Sequence, residues 1–142
     1  MNKTSKLLFK TAAIFQLLTG AIHATSLFSD KAPSNDTEKQ MMDLLENYRM
    51  ELGAGFTPTL SEIFISMSAC FSLLLFFGGM INLFLLKKCS DDGVVKGVLN
   101  INLLVFTMVF ILMCVFTFLP PIVCTGLIFV SLVLARITFK RD

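Results

Sequence analysis

Residues 56–86 read FTPTLSEIFISMSACFSLLLFFGGMINLFLL and are followed directly by Lys87 and Lys88. The stretch is almost wholly apolar, and its single charged residue is Glu62. A helix rises about 1.5 Å per residue and a bilayer core is about 30 Å thick, so about 20 residues suffice to cross. This stretch has length to spare. Three more apolar runs surround it: Thr11–Phe28, Val94–Leu119 and Ile122–Phe139. The expected fold is therefore all-α: a four-transmembrane-helix bundle with spans at about 8–29, 58–86, 94–119 and 122–139, forming one integral membrane domain over residues 1–142.

Composition agrees. Mean hydropathy is +0.78, and 55% of the 142 residues are hydrophobic against 15% charged, which places the chain outside the soluble class. Twelve basic residues against ten acidic give a net charge of +2. The basic residues sit in short groups at the ends of apolar runs and form no clustered basic face, so they speak for topology and against nucleic acid as a partner. Lys3, Lys6, Lys10, Lys87, Lys88, Lys96, Arg136, Lys140 and Arg141 fall on one side of the expected bundle and only Lys31, Lys39 and Arg49 on the other. The positive-inside rule then places both termini in the cytoplasm.

The lysine-flanked first run has the outline of a signal peptide, with small residues near Ala24. Gln16 and His23 interrupt it, and three further apolar segments follow, so it is expected to be the first span. Between the first and second spans the composition turns polar. Ser34, Asn35 and Asp36 offer N-caps, and Met41, Leu44, Leu45, Tyr48 and Leu52 recur at spacings of three and four. An amphipathic helix is expected over about 36–52, stopped by Gly53 and Gly55 and lying on the membrane surface or capping the bundle. Pro120-Pro121 is expected to break the third span from the fourth.

Polar groups within a span cost free energy unless they face the bundle, so they are the best functional pointers in such a chain. His23 and Glu62 each lie near the outer end of their spans, on antiparallel neighbours. In one reading they meet beneath the amphipathic helix, with Tyr48 and Arg49 above, and line an outward-opening ligand-binding cavity in which a facing carboxylate stabilises an imidazolium. In the other, Glu62 caps the first turn of its helix and His23 bonds a carbonyl. Gln16, Asn82, Asn100 and Asn102 lie deeper, toward the cytoplasmic ends, and are read as interhelical polar contacts, with a substrate path as the competing reading. Gly20, Gly78, Gly79, Ser66 and Ser68 are small enough to let helix backbones approach closely.

Several chemistries find no support. With one histidine, bis-histidine haem ligation within the chain is impossible. His23 and Glu62 supply two ligands where a catalytic zinc usually takes three, so no metal site is expected, and no cofactor. There is no phosphate-binding glycine loop and no G-x-S-x-G elbow, and no catalytic residues are assigned. Cys70, Cys89, Cys114 and Cys124 include no C-x-x-C pair, and three lie inside spans, which suits free thiols packed as small apolar residues. Cys114 and Cys124 flank the Pro120-Pro121 turn at similar depth, and their pairing is left open.

The run from Met50 to Ser66, with Tyr48 before it, resembles a pattern of small uncharacterised bacterial four-span inner-membrane proteins, broadly DoxX-like in architecture. Tyr48, Gly55, Thr59, Glu62 and Phe71-Ser72-Leu73-Leu74 carry the likeness, and Gly20 with His23 resembles the family's G-x-x-H. Pro58 stands where that pattern often has a basic residue. The resemblance implies an inner-membrane four-helix bundle, in some relatives an accessory to quinone-linked or envelope-stress functions, and assigns no reaction.

Three functions are compatible with these features. The first is a non-enzymatic protein that binds a small apolar or amphipathic ligand, a quinone or lipid, between its helices. The second is a structural or regulatory subunit packed against a membrane protein partner, or a homo-oligomer. The third is a proton-linked oligomeric transporter or channel.

Overall fold

A computed structural model describes residues 1–28 and 32–139. It contains five α-helices in the described residues: α1 (Lys3–Thr25), α2 (Asp36–Asn47), α3 (Leu60–Lys88), α4 (Asp92–Phe116) and α5 (Leu119–Ile137), with one 3-10 turn, Ser26–Phe28, extending α1. Four of them, α1, α3, α4 and α5, are long and apolar enough to cross a membrane. The protein is an all-α, multi-pass, four-helix membrane bundle.

Local chemistry sets the helix ends. Thr59 and Glu62 form a capping box at the start of α3: Thr59 N donates to Glu62 Oε2 at 2.8 Å and Glu62 N donates to Thr59 Oγ1 at 3.2 Å. At its other end Lys87 and Lys88 occupy the last turn, where positive charge suits the helix dipole. Asp91 starts α4 by accepting from Gly93 N and Val94 N. The break between α4 and α5 falls at Thr117–Phe118, just before the prolines. Pro120 and Pro121 lie in the first turn of α5, where a missing N–H costs nothing and the fixed φ favours entry into the helix.

The helices do not pack in chain order. α1 lies between α3 and α5, and α5 packs against α4, whereas α3 and α4, joined by a short turn, make far less contact than these three pairs. Close approach is greatest between α1 and α3. A Cβ added at Gly79 would lie 2.8 Å from Leu17 and 3.0 Å from the Ala13 carbonyl, and one at Gly20 would lie 3.2 Å from Leu75 Cβ and the Ser72 carbonyl. Each helix thus offers a glycine to the other's backbone, which is how membrane helices gain dispersion contact without a hydrophobic driving force. Phe9, Ala12, Leu99, Ile128, Leu132 and Ala135 complete the fully buried core.

Polar contacts gather both described chain ends and the α3–α4 turn at one end of the bundle. The Met1 ammonium pairs with Asp92. Asn2 Nδ2 donates to Thr138 O at 2.8 Å, and Ser5 Oγ donates to Ala135 O at 2.8 Å. Arg136 Nε donates to Asn100 Oδ1 at 2.7 Å.

The opposite end carries α2, capped by Asn35 and packed against α3. The helix expected over 36–52 ends at Asn47. From Tyr48 the backbone is extended and turns back on itself: Met50 N donates to Pro58 O, Leu52 N to Phe56 O, and Arg49 pairs with Thr59 in an antiparallel bridge. Gly53, Ala54 and Gly55 all have positive φ, 88°, 52° and 80°, and this left-handed run closes the hairpin that the sequence reading took for a plain helix stop.

Candidate functional site

Three of the four amides expected to bridge helices meet in one cluster. Asn82 Nδ2 donates to Gln16 Oε1 at 3.0 Å and to Asn102 Oδ1 at 2.8 Å. Gln16 Nε2 donates to Asn102 Oδ1 at 3.1 Å, and Asn102 Nδ2 donates to Asn82 Oδ1 at 3.1 Å and to Val98 O at 2.9 Å. Gln16 is 1% exposed and Asn82 2%. The cluster joins α1, α3 and α4 at one level and is the main side-chain bridge across the loosely packed α3–α4 flank. Asn100 is not a member. It lies about 200° around α4 from Asn102, at about 100° per residue, and accepts from Arg136 on α5 instead.

Hydrogen accounting separates the members of the cluster. A primary amide has two N–H donors. Both are engaged in Asn82 and both in Asn102, whereas Gln16 Nε2 donates to Asn102 alone. Gln16 also lines the cavity described next, where its Oε1 is the atom nearest Gly78.

A groove of about 330 Å³ opens between α3 and α4 just beyond the amides. Phe71, Leu74, Leu75 and Gly78 form its α3 wall, and Ile101, Val105, Phe106 and Val109 its α4 wall. Gln16 and Asn102 supply its polar groups, and none of its described lining residues is charged. From Gly78 to Phe71, and likewise along α4, the walls run about 10 Å at 1.5 Å per residue. Gly78 faces open space: a Cβ there would meet only Gln16 Oε1, at 3.6 Å, within 4 Å. The two neighbouring glycines of α3 thus differ sharply, Gly79 against α1 and Gly78 over the groove.

The four residues expected to form an outer ligand site are not brought together as a cavity. His23 packs edge-on against Phe71, with ring centroids 5.1 Å apart and planes at 84°. Phe71 is nine residues from Glu62, about 13 Å along the helix. The carboxylate of Glu62 is taken up by its own capping box, and no ion pair or hydrogen bond joins it to His23 among the described residues. Tyr48 is exposed, and Arg49 Nη1 donates to Thr57 O at 2.9 Å within the hairpin. His23 does touch the groove indirectly, through the outer face of its wall residue Phe71.

All four cysteines are free thiols, Cys114 and Cys124 included. Among the described residues no group of three or more His, Cys, Asp or Glu side chains could hold a metal ion. Sequence reasoning found the amides but not the groove, because the order in which the helices pack is not written in the residues and only the packing leaves α3 and α4 apart. The adjacent Gly78-Gly79 pair was its one legible signal, since two glycines in succession on a helix point in directions about 100° apart.

No protein-family model, curated protein or solved structure matches the chain. The DoxX-like resemblance rests on the residues quoted for it alone.

Proposed function

We propose that this four-span membrane protein binds one small apolar or amphipathic molecule, a quinone or lipid, in the lateral groove between α3 and α4, and catalyses no reaction on it. The observation that carries this reading is an apolar groove whose described polar lining is two buried or half-buried amides, Gln16 and Asn102. Its volume lies at the lower end of the range of small-molecule sites, about 300–1,000 Å³. With no charge among its described lining residues, the site favours a neutral head that hydrogen-bonds an amide, such as a carbonyl or hydroxyl group. Asn82 lies six residues from Lys88, about 9 Å along the axis, so the head sits below the headgroup layer. A charged phosphate does not suit that depth. The ligand enters sideways from the bilayer.

The same reading places the protein in a bacterial inner membrane with both termini cytoplasmic, supported by the excess of basic residues on the side of the chain ends and the α3–α4 turn.

Native mass spectrometry of the gently extracted protein tests the assignment. We expect one neutral lipophile per chain on the wild type and its loss from Gly78→Leu, whose side chain occupies the groove while the fold persists. Retention of the same adduct by Gly78→Leu, or a protein partner in place of a small molecule, overturns the reading, and the second result favours an accessory subunit.

A further inference from the structure

A second cavity, of about 200 Å³, opens at the end of the bundle that carries the chain ends. Its lining is unlike that of the groove. Lys6 of α1 and Lys87 of α3 line the cavity from different helices, together with Ser90 of the α3–α4 turn. The one carboxylate among the described lining residues, Asp92, is paired with the Met1 ammonium. Among the described lining residues, Lys6 and Lys87 add positive charge beyond that pair. Leu86 and Val95, both buried, form an apolar floor beneath the cationic rim.

We propose that this cavity is a binding site for the phosphate headgroup of an anionic phospholipid. Lys6 and Lys87 hold the phosphate oxygens from two sides, Ser90 donates a further hydrogen bond, and the apolar floor takes the first part of the lipid's glycerol and acyl region. The floor distinguishes a lipid from free phosphate, which has no apolar part to bury. The location agrees with this assignment. Lys87 is in the last turn of α3, at the end of a membrane span, which is the level of the headgroups. Basic pockets between spans at this level recognise lipid headgroups in the same way, each lysine contributing about 1 kcal/mol near an anionic surface. The site is separate from the groove in position and in ligand charge, so the two assignments stand or fall independently.

Thermal unfolding of the purified full chain in neutral detergent, titrated with dioleoyl phosphatidylglycerol, dioleoyl phosphatidylcholine or inorganic phosphate, tests the proposal. We expect phosphatidylglycerol to raise the midpoint at lower concentration than phosphatidylcholine does, and inorganic phosphate to leave it unchanged. In the Lys6→Gln/Lys87→Gln double variant the apparent affinity for phosphatidylglycerol should fall about 30-fold, which is two lysines at about 1 kcal/mol each. Lys10→Gln/Lys88→Gln removes the same charge from the same end, outside the cavity, and should keep the preference. The proposal is overturned if the preference survives loss of Lys6 and Lys87. It is equally overturned if both double variants lose it alike, which marks a diffuse surface field, or if inorganic phosphate alone reproduces the shift.

Discussion

The two flanks of α3 are built on opposite principles. Toward α1 the helix presents Gly79, and the backbones come so close that a single added carbon would lie 2.8 Å from Leu17. Toward α4 it presents Gly78 over open space, and the main side-chain tie on that side is the amide cluster of Gln16, Asn82 and Asn102. Adjacent residues of one helix thus serve a sealed seam and an open groove. In a membrane, where lipid covers apolar surface as well as protein does, a groove costs little provided its polar groups are satisfied. Those of Gln16, Asn82 and Asn102 bond one another within the bundle.

The largest effect is expected at the seam. Gly79→Leu forces α1 and α3 apart and should destabilise the bundle by about 3 kcal/mol, read as a steep loss of folded protein in thermal or denaturant unfolding. If it unfolds like the wild type, the seam is not what holds α3. Next comes the amide bridge. Asn82→Leu removes partners from both Gln16 and Asn102 and should cost about 1–2 kcal/mol. In a double-mutant cycle with Asn102→Leu, the costs should be strongly non-additive; additive costs would mean the amides act singly.

A smaller effect on stability, and a larger one on the guest, is expected across the groove. Gly78→Leu should change unfolding by no more than about 0.5 kcal/mol, because the added Cβ meets only Gln16 Oε1, at an ordinary contact distance of 3.6 Å. A loss as great as that of Gly79→Leu would erase the contrast between the flanks. The smallest effect concerns the residues furthest from the bridge. His23→Ala should lose only its edge contact with Phe71, about 0.5–1 kcal/mol. Combined with Glu62→Gln, its cost should add to within about 0.5 kcal/mol, since the two groups share no contact. Coupling beyond that would revive an outer His23–Glu62 site.

Much of this was legible in the residues. Four apolar runs, with lysines at their ends, gave the spans, and one of the two readings of Glu62, an acid in the first turn of its helix, is what α3 shows. Gln16, Asn82 and Asn102 stood out as polar groups in apolar runs. The membership of the cluster was not legible to the last residue, because Asn100 and Asn102 lie on nearly opposite sides of α4 and only the packing decides which one faces α3. Packing order was hidden for a similar reason. Small residues at Gly20, Gly78 and Gly79 announce close approach without saying to which neighbour, so the pairing of α1 with both α3 and α5 is set by packing alone. The placing of His23 with Glu62 came from counting residues to estimated span ends. It failed because α3 begins at Leu60 and runs 29 residues, so Glu62 stands in its first turn while His23 lies level with Phe71.

The open groove is the claim on which the functional account depends, and ligand-dependent stability tests it most directly. Binding to the folded form alone raises the unfolding midpoint with ligand concentration. Delipidated protein titrated with a short-tailed benzoquinone in one arm and a long-chain fatty alcohol in the other should show a saturable rise in at least one arm for the wild type and none in either arm for Gly78→Leu. Equal rises in the two proteins, or no rise in the wild type in both arms, would contradict a binding groove between α3 and α4.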